Sequence, residues 1–190
     1  MTNIAQDNIT VAVFCGSKSG NQPVYAEDVS LLGTLLGQNG FDIVYGGSHK
    51  GLMGALANNA LVNGSKVTGV LPEVLLEWEH QHDGLTELII TKDMHERKRV
   101  MYQKGAAGIV LPGGFGTLDE MYEMLTWNQL SIHNKKLYIL NSGGFYDHLI
   151  AHMVSLETNG FLYDPVWDRM IACKDANALV EQLKIDFKKS

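Results

Sequence analysis

The chain is poor in cysteine and in long apolar runs. Its 190 residues contain only two cysteines, Cys15 and Cys173. Two cysteines cannot form the disulfide framework of a small secreted protein, so we expect a reducing compartment. No apolar stretch approaches the ~20 residues that cross a membrane. Residues 1–10 also lack the basic segment and apolar run of a signal peptide. These absences predict a cytoplasmic protein with no membrane partner.

Positive charge is also scarce. Lysine and arginine number 15 against 21 aspartate and glutamate residues, which gives a formal net charge of −6. Broad binding of nucleic acid needs a basic face, so we do not expect nucleic acid as a partner. A small phosphorylated ligand is still compatible with this charge, because a few local donors are enough to bind it.

Patterns typical of strands and helices alternate along the whole chain, and the length suits one domain over residues 1–190. This alternation predicts an α/β fold with a parallel sheet and helices on both of its faces. The pattern weakens only over 73–84, which we expect to be irregular. The predicted strands cover 9–14, 41–45, 66–71, 85–91, 107–111, 136–140 and 170–173. The predicted helices cover 24–38, 52–62, 94–104, 117–130, 145–158 and about 176–187.

Three of the predicted strands end in glycine-containing breaks. Gly16 and Ser17 follow the first strand, Gly46 and Gly47 follow the second, and residues 112–117 follow the fifth. Ligands of such sheets bind at the carboxyl ends of the strands, so these breaks can line one crevice. None of them spells the dinucleotide fingerprint or the P-loop, which argues against a dehydrogenase and a common ATPase.

The richest break is the sequence P-G-G-F-G-T-L-D-E at 112–120. Glycines let backbone N–H groups approach a ligand, and the start of a helix adds free donors and a positive dipole end. This combination predicts an anion site, most naturally for a phosphate. Glu120 has two interpretations here. It either acts on the bound ligand or closes a capping box with Thr117 as the N-cap.

A second candidate group is the basic cluster Arg97, Lys98 and Arg99. On a helix over 94–104, neighbouring positions diverge by ~100°, so the three side chains cannot all face one site. A solvated helix face is one explanation of the cluster. The other is that Arg97, near the first turn and the crevice, contacts a phosphate.

Taken together, these blocks resemble the LOG ("lonely guy") family of cytokinin riboside 5′-monophosphate phosphoribohydrolases. The sequence at 112–120 is similar to the P-G-G-x-G-T-x-x-E signature of that family. M-H-E-R-K at 94–98 and G-G-S-H-K-G-L-M-G at 46–54 resemble two further family blocks. The blocks occur in the family's order over nearly the whole chain.

The resemblance implies a Rossmann-like doubly wound fold, a homodimer and hydrolysis of the N-glycosidic bond of N6-modified AMP. Arg97 and Glu120 would then be the catalytic pair, with no metal and no cofactor. The remaining matched positions would bind the nucleoside 5′-monophosphate substrate. These positions are Ser17, Gly46, Gly47, Glu79, Lys98, Gly113, Gly114, Phe115, Gly116, Thr117 and Thr126.

Two other functions stay open from the sequence. Molybdenum-cofactor carrier proteins share this type of fold and its glycine loops, and they bind a phosphorylated pterin without turnover. Related DNA-processing proteins bind single-stranded DNA, although the acidic balance of this chain speaks against that. Arg97 and Glu120 favour the enzyme over the carrier.

Overall fold

A computed structural model describes residues 8–76 and 81–188. Its seven strands form one parallel sheet in the order β4-β3-β2-β1-β5-β6-β7, which confirms the predicted fold class. The strands are β1 (Ile9–Phe14), β2 (Phe41–Tyr45), β3 (Val67–Pro72), β4 (Glu87–Thr91), β5 (Gly108–Val110), β6 (Leu137–Leu140) and β7 (Met170–Cys173). The α-helices within these ranges are α1 (Pro23–Gln38), α2 (Gly51–Val62), α3 (Met94–Lys104), α4 (Phe115–Gln129), α5 (Asp147–Thr158) and α6 (Ala176–Asp186). No helix in the described part of the chain is long and apolar enough to cross a membrane.

Both faces of the sheet are covered by helices. Alternate residues of a strand point to opposite faces, and β1 divides accordingly. Val11 and Val13 join a core cluster that includes residues of α1, α2 and α6. Ala12 and Phe14 join a second cluster that includes residues of α3, α4 and α5. The sheet is therefore doubly wound, as predicted.

The chain changes direction across the sheet between β1 and β5. It builds β2, β3 and β4 on one side of β1, then returns to place β5 on the other side. Phe14 pairs with Val110 in register, and the Gly16 N–H donates to the Pro112 carbonyl at 3.1 Å. The glycine breaks after β1 and β5 consequently lie side by side. Such a switch point at the carboxyl ends of strands forms a ligand crevice.

The predicted start of α4 was wrong. Gly114 is the N-cap in an extended conformation, and the helix begins at Phe115 instead of Thr117. The Leu118 N–H already donates to the Gly114 carbonyl at 3.1 Å, so Thr117 lies inside the first turn. Glu120 is then the sixth residue of α4, and the proposed Thr117–Glu120 capping box does not form. Asp93 caps α3, because its side chain accepts from the Glu96 N–H at 2.8 Å, and the Glu96 carboxylate in turn accepts from the Lys92 N–H at 2.7 Å.

Candidate active site

A buried ion pair joins α3 to α4 at the crevice. Arg97 Nη1 donates to Glu120 Oε1 at 3.0 Å, and the two side chains are 7% and 6% exposed. Arg97 Nε also donates to the Val70 carbonyl of β3 at 3.0 Å. Desolvation offsets much of the attraction in a buried ion pair, so such a pair is weak evidence for a stabilising role. Its place in a cavity marks it instead as a candidate for chemistry.

Gly46 leaves space for the guanidinium of Arg97. A Cβ atom at Gly46 would lie 2.4 Å from Arg97 Nη2 and 3.1 Å from the end of the Met53 side chain. Gly46 follows β2 directly, so the end of that strand forms part of the wall around Arg97. Gly47 has φ +83 and lies against Gly69 of β3. Gly46, predicted to contact substrate, is therefore in contact with Arg97 itself.

The start of α4 has the properties of an anion cradle. The first N–H groups of any helix have no partner within it, and here they belong to residues of the glycine-rich turn. A Cβ atom at Gly114 or Gly116 would meet no other atom within 4 Å, so a ligand can approach the backbone there. Gly113 differs, because its Cβ would lie 2.1 Å from Thr117 Oγ1. Phe115 is 93% exposed.

The ion pair and the cradle open into one cavity of about 230 Å³. It brings together six of the predicted site residues: Ser17, Arg97, Gly114, Gly116, Thr117 and Glu120. Its other walls are Cys15, Gly16, Met53, Leu75 and Met94. The three apolar side chains Met53, Leu75 and Met94 were not predicted. Met53 and Met94 lie inside the sequence blocks 46–54 and 94–98, which resemble the family, so their positions in these blocks could have indicated them.

Lys98 is buried beside the pair but does not line that cavity. Its ammonium forms ion pairs with Asp119 at 2.9 Å and with Glu123 at 3.1 Å. Burial lowers the pKa of Lys98, but Asp119 and Glu123 together raise it by more, so the pKa is higher than that of a free lysine. Arg99 is exposed. As the helical geometry predicted, the three basic residues do not face a single site.

Tyr102 fixes the backbone of α4 at Glu120. Its hydroxyl donates to the Glu120 carbonyl at 3.0 Å, and its ring packs edge-on against Phe14 and Trp127. Burial is the main reason why the pKa of the Tyr102 hydroxyl is raised, so this donor stays protonated at neutral pH. Sequence reasoning missed Tyr102, because nothing in the order of residues indicates that α3 and α4 touch.

Six predicted site residues in the described part of the chain do not line this cavity: Gly46, Gly47, Lys98, Gly113, Phe115 and Thr126. Thr126 lines a separate cavity of about 150 Å³ that is bounded by parts of α4, α5 and residues 162–169. Its hydroxyl donates to the Tyr122 carbonyl at 2.7 Å. Glu79 lies outside the described residues.

Cys15 lines the cavity as a thiol. It is 4% exposed, and burial together with the negative charge of Glu120 raises its pKa, which Arg97 only partly opposes. A protonated thiol is a poor nucleophile, so Cys15 serves as a wall. Within residues 8–76 and 81–188, no group of three or more His, Cys, Asp or Glu side chains could hold a metal ion.

Comparison with solved structures agrees with this architecture. A molybdenum cofactor binding protein from Rippkaea orientalis superposes with a TM-score of 0.72 at 19% identity, over 95% of this chain and 98% of that one. The molybdenum cofactor carrier protein of Chlamydomonas reinhardtii gives a TM-score of 0.72 at 17% identity, over 96% and 99% of the two chains. At such identities the likeness shows the fold alone. Fold and site together define a Rossmann-like α/β protein with an open, glycine-rich helix start beside a buried Arg–Glu pair.

Sequence comparison narrows this class. The family model described as "Possible lysine decarboxylase" matches residues 53–183. A cytokinin riboside 5′-monophosphate phosphoribohydrolase from Rhodococcoides fascians is 39% identical over 176 residues, which cover 92% of this chain and 89% of the relative. One from Arabidopsis thaliana is 38% identical over 174 residues, 92% of this chain and 80% of the relative. This chain belongs to the LOG family.

Proposed function

We propose that this protein hydrolyses the N-glycosidic bond of adenosine 5′-monophosphates, including N6-modified ones, to free base and ribose 5-phosphate. The observation that carries the proposal is the Arg97–Glu120 pair, which lies in one cavity with the helix-start cradle. Relatives that share more than a third of their residues with this chain have the corresponding enzyme name.

The geometry suits that chemistry. A 5′-phosphate on the free N–H groups at the start of α4 places the ribose deeper in the cavity, toward Glu120. Cleavage of the bond from C1′ to the base nitrogen builds positive charge on the sugar, which a nearby carboxylate stabilises. Water then adds its oxygen to C1′ and loses one proton. The departing nitrogen keeps the bonding electron pair and takes up a proton.

Arg97 supports this role of Glu120 in two ways. Its hydrogen bond at 3.0 Å holds one carboxylate oxygen in place, while the Val70 carbonyl fixes the guanidinium from the other side. The positive charge also reduces the repulsion between the carboxylate and a phosphate bound in the same cavity. We therefore infer that Arg97 orients Glu120 and balances its charge.

The other predicted contacts remain proposals that rest on the family resemblance. Ser17 reaches the cavity from the break after β1. Gly46 acts through Arg97, and Gly47 allows the sharp turn beside it. For Glu79, Lys98 and Thr126 we infer contacts with the nucleotide from the family pattern alone.

We further propose that the protein is a homodimer that works in a reducing compartment such as the cytoplasm. Apolar side chains are exposed in the segments that follow α4 and α5, namely Leu130, Ile132, Phe161 and Tyr163, which are 59–88% exposed. A second copy would cover this surface. Light scattering after size-exclusion chromatography should give about 42 kDa, twice the 21.0 kDa of the chain. A monomer at micromolar concentration would contradict the dimer.

The carrier alternative has less support. The carrier proteins share only the fold, at 17–19% identity. A protein that only carries an anionic pterin phosphate would gain nothing from the buried Glu120 carboxylate, because two negative charges repel each other.

Chromatography of the products tests the proposed enzyme. The protein is incubated with AMP and with N6-isopentenyladenosine monophosphate, and we expect free base from at least one of them. Glu120→Gln keeps the size of the side chain but removes its charge, and should lower turnover by about 100-fold or more. Glu181→Gln is the matched control, because Glu181 is exposed on α6. No base from either nucleotide with folded protein would refute the proposal, as would normal turnover by Glu120→Gln.

A further inference from the structure

The proposed reaction leaves a second chamber of the crevice unused. This chamber has a volume of about 290 Å³ and lies around the break after β1. It shares Gly16, Ser17 and Gly114 with the catalytic cavity, so the two spaces are neighbours at the phosphate cradle. Its remaining walls are Lys18, Ser19, Gly20, Tyr25, Leu52, Pro112, Gly113 and Phe145.

One wall of the chamber is an aromatic ring that is both exposed and firmly held. Phe145 is 40% exposed, yet its ring packs edge-on against Tyr25 and Tyr146 with centroids 5.4 and 4.7 Å away. The turn before it is tied to α1, because Ser142 Oγ donates to Asp28 at 2.6 Å. A fixed aromatic ring of this kind is a suitable platform for a planar ligand.

The ring that packs against Phe145 carries a hydroxyl group. Tyr25 is only 7% exposed, and its hydroxyl makes no hydrogen bond to any described residue. Gly20, at φ +76, folds the loop directly over the Tyr25 ring, where a Cβ atom would lie 2.7 Å away. A tyrosine hydroxyl can both donate and accept a hydrogen bond. The Tyr25 hydroxyl is therefore available to a polar group inside the chamber.

We propose that this chamber binds a second nucleoside, joined through a 5′–5′ pyrophosphate to the nucleotide at Glu120. The inference rests on the proposed function, in which the cradle holds the 5′-phosphate. Because the chambers are neighbours at the cradle, a group attached to that phosphate extends into the second chamber. Its base stacks on Phe145, and a polar group of this nucleoside bonds to the Tyr25 hydroxyl.

The sizes of the two chambers agree with a ligand that spans both. Small-molecule sites usually occupy ~300–1,000 Å³. The catalytic cavity of about 230 Å³ is below that range, whereas the two chambers together are within it. Aligned on Gly16, the break after β1 has Lys18 and Asn21 where the dinucleotide fingerprint has its second and third glycines. The ligand is thus a dinucleotide substrate or inhibitor that contacts the walls of both chambers. The site differs from a common nicotinamide-cofactor site, because it lacks the glycine fingerprint.

Calorimetric titration with diadenosine 5′,5′-diphosphate and with ADP tests this inference. ADP carries the second phosphate but not the second nucleoside. In the Glu120→Gln background, where turnover cannot disturb the titration, we expect the dinucleotide to bind about tenfold more tightly than ADP. Adding Tyr25→Phe or Phe145→Ala should each reduce that advantage by at least about threefold. The same two changes in the otherwise unaltered protein should leave AMP hydrolysis near normal.

Equal affinities for the dinucleotide and ADP would overturn the inference. So would an advantage that survives both Tyr25→Phe and Phe145→Ala in folded protein. Tyr25→Phe retains the ring, so it serves as the test if Phe145→Ala fails to fold. Loss of the proposed function would appear separately, as absence of base release from AMP, because the titration does not depend on turnover.

Discussion

Replacing Gly46 by alanine should displace Arg97 without altering any group that touches substrate. The new Cβ would lie 2.4 Å from Arg97 Nη2, whereas ordinary van der Waals contact begins at 3.4 Å. The guanidinium must therefore move by about 1 Å (3.4 − 2.4). Its freedom to do so is limited, since Nε is bonded to the Val70 carbonyl and Nη1 to Glu120.

The expected loss of activity follows from that displacement. A 1 Å movement away from Glu120 would lengthen the 3.0 Å hydrogen bond to about 4 Å, beyond hydrogen-bonding distance. Misplacement of catalytic groups by about 1 Å can lower the rate by ~100-fold. The added methyl group should also lower the free energy of unfolding by about 1–3 kcal/mol. We therefore expect kcat/KM to fall by about 100-fold while the protein remains folded.

The assay is release of free base from the better nucleotide, measured as kcat/KM, with folding checked by thermal unfolding. A double-mutant cycle with Arg97→Met gives the sharpest control. If Gly46→Ala acts through Arg97, it should change the activity of Arg97→Met by no more than about threefold. Near-normal activity of Gly46→Ala would refute the reasoning. So would full additivity with Arg97→Met, because the two changes would then act independently.

Two further predictions concern the cradle and the stability of the fold. Gly116→Ala should raise the free energy of unfolding by about 0.5–1 kcal/mol, because alanine is the better helix former and the site is open, yet it should raise KM by obstructing the phosphate. Denaturant titrations and steady-state kinetics measure the two effects, and an unchanged KM would contradict the cradle. Burial and the charge of Lys135 lower the pKa of His133 below its usual 6.5, so the unfolded state binds more protons and stability should fall as the pH drops below about 6.5. Denaturant titrations at pH 7.5 and 5.5 should show a smaller loss for His133→Asn than for the unaltered protein, and equal losses would refute this assignment.

Much of the fold could be predicted from local patterns. The observed bounds of β1, β2, β7 and α3 are the predicted ones. These elements are apolar runs or amphipathic segments with clear breaks on both sides, so their limits depend on neighbouring residues. The parallel sheet followed from the alternation of strands and helices.

The start of α4 could not be predicted in the same way. Thr117 followed by Glu120 has the sequence of a capping box, but the extended Gly114 begins the helix earlier. The difference matters for function, since Glu120 lies in the second turn of α4 and not at the predicted capping position. There it can face Arg97, 23 residues away in sequence.

The contacts that complete the site are long-range. Arg97 meets Glu120 only because the strand order places β5 beside β1, and no local pattern encodes that order. The contact of Tyr102 with α4 and the second chamber around Tyr25 could not be predicted for the same reason. Residues 112–120 still indicated the correct kind of site, because the ability of glycine to expose backbone donors is a local property.

The most direct test of the central claim is mass spectrometry of the products formed from AMP or its N6-isopentenyl derivative in ¹⁸O-labelled water. Hydrolysis at C1′ predicts one ¹⁸O atom in ribose 5-phosphate and none in the free base, with both products nearly absent for Glu120→Gln. Intact nucleotide would contradict the account, as would ¹⁸O in released inorganic phosphate or equal product from Glu120→Gln.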